Sequence, residues 1–84
     1  MIGIYKITNI QNNKVYIGQS TDVEDRIAHH RSSLRHNKHE NSHLQRSWNK
    51  YGEDSFVFEI LDICEEQALD DKERYYIEMY QATD

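Results

Sequence analysis

Five side chains in this sequence are of types, and at spacings, that could do acid–base or metal-assisted chemistry: Tyr5, Tyr16, Arg26, His30 and Glu73. Glu73 is the most informative. Leu69, Tyr76, Ile77 and Tyr80 define an apolar stripe at helical spacing, and Glu73 falls in the middle of it. Asp70, Asp71, Lys72, Arg74 and Glu78 fall elsewhere around the same helix, as surface charges do. A carboxylate on a core-facing stripe is costly unless something compensates it. A partner arginine would do so. So would a hard divalent cation, which takes oxygen ligands and helps polarise a phosphate. The pattern alone leaves both readings open.

Arg26 and His30 are four residues apart and share one helical face. That face adjoins the stripe of Val23, Ile27 and Leu34, which tilts both side chains towards a sheet. An arginine there can pair with Glu73, or clamp a phosphate through its planar fork of donors. His30 is a surface histidine or a proton-transfer partner. Tyr5 and Tyr16 can lie cross-strand on one face of a hairpin. Such aromatic pairs are often merely stabilising. A phenol titrates near pH ~10 and becomes a useful base only beside cations. Arg26, His30 or a bound metal could provide them.

Other candidates are weaker. His36, His39 and His43 have spacings that zinc can use, but no cysteine is near and the segment reads as a helix connection. Cys64 follows an apolar run and reads as a packed thiol. No phosphate-binding glycine loop and no Ser-His-Asp arrangement is present.

The elements that must position these residues are legible in the patterning. Ile2 to Thr8 alternates as a half-buried strand, Asn9 to Asn13 is turn chemistry, and Lys14 to Gly18 reads as the returning strand. Thr21 and Glu24 fit a capping box opening a helix that runs to Arg35. A shorter helix is expected over Ser42 to Tyr51, with Gly52 ending it. Ser55 to Ile63 reads as a third strand, burying Phe56, Phe58 and Ile60, with Leu61 and Ile63 as further candidates. A last helix is expected from Glu65 to Tyr80. The order ββααβα predicts an α+β fold: a three-stranded, mainly antiparallel sheet flanked by three helices.

The chain has 84 residues, enough for one domain with one core. Hydrophobic content of 37% and charged content of 30% suit a folded, soluble domain, and no apolar run is long enough to span a bilayer. One cysteine and no signal-peptide pattern point to a reducing, intracellular setting. The net charge of −5 is unevenly spread: residues 26–50 carry +5 and all five histidines, residues 51–84 carry −9. A basic, histidine-rich middle on an acidic chain forms either one positive face or an ordinary solvated helical surface. In either case the domain alone should hold DNA weakly, because phosphate neutralisation dominates non-specific affinity.

Taken together these residues resemble the GIY-YIG nuclease family. Gly3-Ile4-Tyr5, ten residues, then Tyr16-Ile17-Gly18 is its naming motif in literal form. Arg26 with His30 four later, and Glu73 four before Ile77, match its helix residues. Asn12 to Gly18 and Leu44 to Gly52 look most like catalytic domains of phage and intron homing endonucleases, and His39 falls where those enzymes carry a histidine. The resemblance implies hydrolysis of a DNA phosphodiester with one divalent metal, Mg²⁺ or Mn²⁺, held by Glu73. It implies Tyr5 as general base helped by His30, Tyr16 orienting water or phosphate, and Arg26 countering charge on the phosphate. Lys14, Arg31, Arg35, His39 and Arg46 are the expected DNA contacts. The family's asparagine beyond the last helix has no match up to Asp84. Residues 1–84 are therefore expected to be the catalytic module of a longer protein, working in a phage or its bacterial host, with full DNA affinity supplied from outside this chain and no membrane partner. A non-catalytic DNA-binding or interaction module, and a repair or restriction nuclease, are the competing expectations.

Overall fold

A computed structural model describes residues 1–82. Strands β1 (Gly3–Asn9) and β2 (Lys14–Ser20) form the hairpin, followed by helices α1 (Val23–Arg35) and α2 (Ser42–Tyr51), strand β3 (Phe56–Ile63) and helix α3 (Leu69–Tyr80). The sheet is antiparallel in the order β2-β1-β3, so the first strand is central and the other two are edges. The ββααβα order is as expected from the sequence. Asn13 closes the hairpin turn in the left-handed region (φ 61°), which asparagine tolerates.

The sheet is covered on both faces. Tyr5, Ile7 and Tyr16 on one face pack with Phe56 against Val23 and Leu34 of α1 and Leu44 and Trp48 of α2. Ile4 and Ile17 on the other face pack against Leu69 of α3, with Leu61, Tyr76 and Ile77 beside them. Val23, Leu34 and Leu44 are almost fully buried, and truncating such a leucine to alanine costs on the order of 2–5 kcal/mol. The solvent-exposed Arg35–Glu53 pair is screened by water. Leu34 therefore fixes the position of α1.

Four boundaries and burials differ from the sequence-based expectation. The helix cap of α1 is Asp22, not Thr21: its side chain accepts from the Asp25 amide, shifting the box by one residue. α3 begins at Leu69, because Glu66–Ala68 forms a tight 3₁₀ turn first. Ile60 and Ile63 are exposed, at 40% and 48%, because β3 is an edge strand. β3 also carries a bulge. Tyr5 pairs with Ile60 but Ile4 pairs with Asp62, so Leu61 is an extra residue in β3.

That bulge positions α3. Leu61 joins the cluster under α3, and Asp62 accepts hydrogen bonds from Lys72 Nζ (3.1 Å) and Tyr76 Oη (3.0 Å). The two donors flank Glu73 on the helix, one residue before it and three after. Gln19 of β2 donates to Asp70 at the start of the same helix (2.8 Å). The bulge also explains Gly3: a Cβ there would stand 2.1 Å from the carbonyl oxygen of Asp62.

Candidate active site

Tyr5 and Tyr16 share a face of the hairpin but are not directly opposite. The register sets Tyr5 against Gly18 and Ile7 against Tyr16, so the two tyrosines are diagonal neighbours. The Tyr5 ring crosses the strand over Gly18. A Cβ at Gly18 would stand 2.2 Å from the Tyr5 hydroxyl, so only glycine leaves room for the phenol. Both tyrosines line a cavity of about 200 Å³, together with Ile7, Ile17, His30 and His39.

α1 brings His30 to the phenol: His30 Nε2 lies 2.6 Å from Tyr5 Oη. The α1–α2 connection brings His39 behind it, with His39 Nε2 2.6 Å from His30 Nδ1 and the rings stacked at 4.9 Å. Asn41 completes the series, its backbone N–H donating to His39 Nδ1 (3.0 Å). This last bond sets the direction of the others. A backbone amide can only donate, so His39 Nδ1 carries no proton and neutral His39 is protonated on Nε2. His39 therefore donates to His30 Nδ1. Neutral His30 is then protonated on Nε2 and donates to the Tyr5 oxygen. The donors point one way, from the Asn41 amide to the phenol.

The electrostatics keep this series neutral. Burial, then the charges of His39, Arg26 and His29, lower the His30 pKa to about 4. Burial also lowers that of His39. Burial raises the Tyr5 phenol above its ordinary value, with Arg26 opposing and Glu73 reinforcing that shift. Arg26 and Glu73 therefore both act on the phenol, the first from the exposed side of α1 and the second from α3. Glu73 is half-buried rather than sunk in the core, since the stripe it interrupts grades from buried Leu69 to exposed Tyr80.

The series depends on two residues that the sequence reading did not single out. Asn41 caps α2 through its side chain, accepting from the His43 and Leu44 amides, which fixes the amide that meets His39. Gln45 is buried on the apolar side of α2. It accepts from the His39 backbone amide (3.0 Å) and donates to the Leu34 carbonyl (3.0 Å), tying the connection to the end of α1. Gln45 follows Leu44 directly and so falls at the edge of the apolar stripe, where its spacing gave no signal.

Among the described residues no group of three or more His, Cys, Asp or Glu side chains could hold a metal. The histidines at 36, 39 and 43 do not converge: His36 bonds the Ser32 carbonyl, and His39 is engaged with His30. A single carboxylate at Glu73 is a poor zinc site. It fits a hard cation that keeps most of its waters and takes further oxygens from a substrate phosphate. Cys64 packs half-buried beside Ile4, Ile17 and Leu69.

The expected DNA contacts separate. Lys14 and Arg46 line one hollow beside the cavity. His39 belongs to the hydrogen-bonded series. Arg35 is held in a two-pronged contact with Glu53, and the Arg31 guanidinium lies over the Phe58 ring at 4.7 Å.

The GIY-YIG catalytic domain family matches the chain over residues 1–84. The chain is 39% identical over 77 residues to Intron-associated endonuclease 1 of Enterobacteria phage T4, covering 89% of this chain and 31% of that protein. It is 36% identical over 85 residues to the Probable intron-encoded endonuclease 1 of Neurospora crassa, covering 93% of this chain and 27% of that protein. It thus spans less than a third of the length of these relatives. The catalytic domain of homing endonuclease I-TevI superposes with a TM-score of 0.85 at 35% identity, over 96% of this chain and 89% of that one.

Proposed function

Because the chain belongs to the GIY-YIG catalytic domain family, we propose that it hydrolyses DNA phosphodiester bonds at the cavity walled by Tyr5, Tyr16, His30 and His39. The observation that carries this reading is the directed series ending on Tyr5, with Arg26 and Glu73 acting on the same phenol. Both named relatives are intron endonucleases, which favours a homing-type enzyme over a repair or restriction nuclease. The phage relative supports action inside a host cell. The greater length of both relatives supports target recognition by regions outside this chain.

Tyr5 serves as the general base. Burial alone would keep its proton on, but the His30 N–H and the Arg26 charge both stabilise the phenolate. His30 acts by donating to the phenol oxygen rather than by taking its proton. The phenolate accepts a proton from water as that water attacks phosphorus, and the leaving sugar oxygen departs with a proton from solvent. Tyr16, on the same face, orients the water or a phosphate oxygen. Arg26 offers its planar fork to the charge that builds on the phosphate. Glu73 would hold the divalent cation, Mg²⁺ or Mn²⁺, which when bound supplies positive charge to the phosphate oxygens.

Nicking of supercoiled plasmid with Mg²⁺ or Mn²⁺, against chelator, tests this reading. Glu73→Ala and Arg26→Ala are each expected to lower the rate by on the order of 10²–10³-fold, the range for removing one group that stabilises developing charge. Full metal-dependent activity in either variant would overturn the assigned roles.

A further inference from the structure

A second hollow, of about 230 Å³, lies beside the cavity at the hairpin end of the molecule. Its walls are the start of β2, which gives Lys14, and the outer side of α2, which gives His43, Arg46 and Lys50. His43, Arg46 and Lys50 are spaced by three and four residues and share one helical face. The remaining lining is Asn12, Ser47 and Tyr51, and no carboxylate contributes.

That concentration of charge is unusual in this chain, whose net charge is −5. Elsewhere four cations are ion-paired, Lys6 with Glu59, Arg35 with Glu53, Lys72 with Asp62 and Arg74 with Asp71, while Arg26 and Arg31 on α1 and Lys38 after it are in no ion pair among the described residues and do not line this hollow. Among the described residues, none of Lys14, Arg46 and Lys50 is in an ion pair. Arg46 uses only its Nε–H, on the Ser42 carbonyl at 3.4 Å, and Lys50 lies over the Tyr51 ring at 5.3 Å. An acidic chain that leaves three cations unmatched around one concavity has a polyanion as the natural occupant.

The hollow and the cavity are built on neighbouring residues of the same two elements. Lys14 and Tyr16 are alternate residues of β2 and point to the same face, about 7 Å apart at the usual strand rise. α2 lends Asn41 and Leu44, at its start, to the cavity and His43 and Arg46 to the hollow. We propose that the hollow holds the sugar–phosphate backbone of the cut strand, at the phosphates flanking the one in the cavity. This rests on the endonuclease reading above and names the track along which that substrate lies. The contact is to phosphates, so it positions the strand and carries no base preference.

Salt dependence reads phosphate contacts directly and needs no turnover. For B-DNA each contact contributes about 0.9 to the slope of log K against log [salt]. Binding of a fluorescent duplex oligonucleotide, measured by anisotropy across a salt series, is expected to lose about 0.9 of slope in each of Lys14→Ala, Arg46→Ala and Lys50→Ala. Arg74→Ala, which removes the same charge from α3, is expected to keep the parent slope. In plasmid nicking the three variants should raise KM and leave kcat unchanged. Parent slopes in all three variants, or equal losses from Arg74→Ala, overturn the proposal. All four positions are exposed, and circular dichroism melts of each variant check that it folds. A parent protein that binds with the expected slope changes yet never nicks would refute the endonuclease reading while upholding the hollow as a backbone site.

Discussion

The cavity and the basic hollow share two elements, β2 and α2, but are built on opposite principles. In the cavity the polar groups are half-buried, hydrogen-bonded in series, and held neutral by desolvation. In the hollow the cations are solvated and unmatched. The first arrangement depends on sub-ångström position, because a bond of 2.6 Å is lost if a ring shifts by one. The second depends on charge, which acts over about 10 Å at moderate salt. Substitutions in the cavity should therefore have large effects on turnover that salt does not rescue. Those in the hollow should have small, additive, salt-dependent effects on binding.

The largest effect is expected where nothing polar is touched. Gly18→Ala places a methyl where the Tyr5 hydroxyl now lies, and the ring must leave His30 to make room. Nicking should fall by on the order of 10²–10⁴-fold, the usual contribution of a positioned acid–base group. The protein should still bind DNA with the parent salt slope, because the basic hollow is untouched. Activity near the parent's would mean that the Tyr5–His30 contact is dispensable, and with it the distinction between the two regions.

A smaller effect is expected at His39, which contacts the reacting group only through His30. His39→Ala removes the donor to His30 Nδ1 and with it the reason for the His30 tautomer. A loss of about 10–100-fold in kcat is expected, as for partners that orient a functional histidine. Long-range proton–nitrogen NMR gives the independent reading. The parent should show His30 protonated on Nε2, and the variant a mixture of tautomers. Lys50→Ala should leave that spectrum unchanged. A parent His30 protonated on Nδ1 would reverse the direction of the whole series.

These expectations also mark what the sequence could and could not reveal. Alternation in β1 and β2 and the apolar stripes of the helices announced the fold, because burial periodicity is a local property. Glu73 was visible as a residue out of place on such a stripe, and His30 as the partner of Arg26 on a face beside one. The space that the Tyr5 ring needs over Gly18 was not visible, since it depends on a register that pairs Tyr5 with Gly18 rather than with Tyr16. Nor was the His30–His39 contact, which is fixed by a non-local hydrogen bond from the His39 amide to Gln45. The bulge at Leu61 lay outside local reasoning for the same reason. A single inserted residue turns Asp62 towards α3 and leaves Ile63 exposed. Charge composition placed Arg35 and Arg46 in one basic segment, and only the tertiary structure separates Arg35, neutralised by Glu53, from Arg46, which is unmatched.

The smallest expected effect concerns stability rather than turnover. His30 titrates at about 4 in the folded chain and near the ordinary 6.5 when unfolded. Between those values the unfolded chain binds a proton that the folded chain does not, so stability falls as pH is lowered through that window. His39, also lowered by burial, contributes in the same direction. Urea midpoints measured at pH 7 and at pH 4.5 should therefore show the parent losing stability on acidification. His30→Asn, which cannot titrate, should lose less of it than the parent does, even if it starts from a lower midpoint. Lys14→Ala, in the solvated hollow, should lose as much as the parent. An acid-induced loss undiminished in His30→Asn would show that the histidine is not held neutral by its surroundings. The one-way order of donors would then lose its electrostatic support, because a cationic His30 carries a proton on Nδ1 and cannot accept from His39.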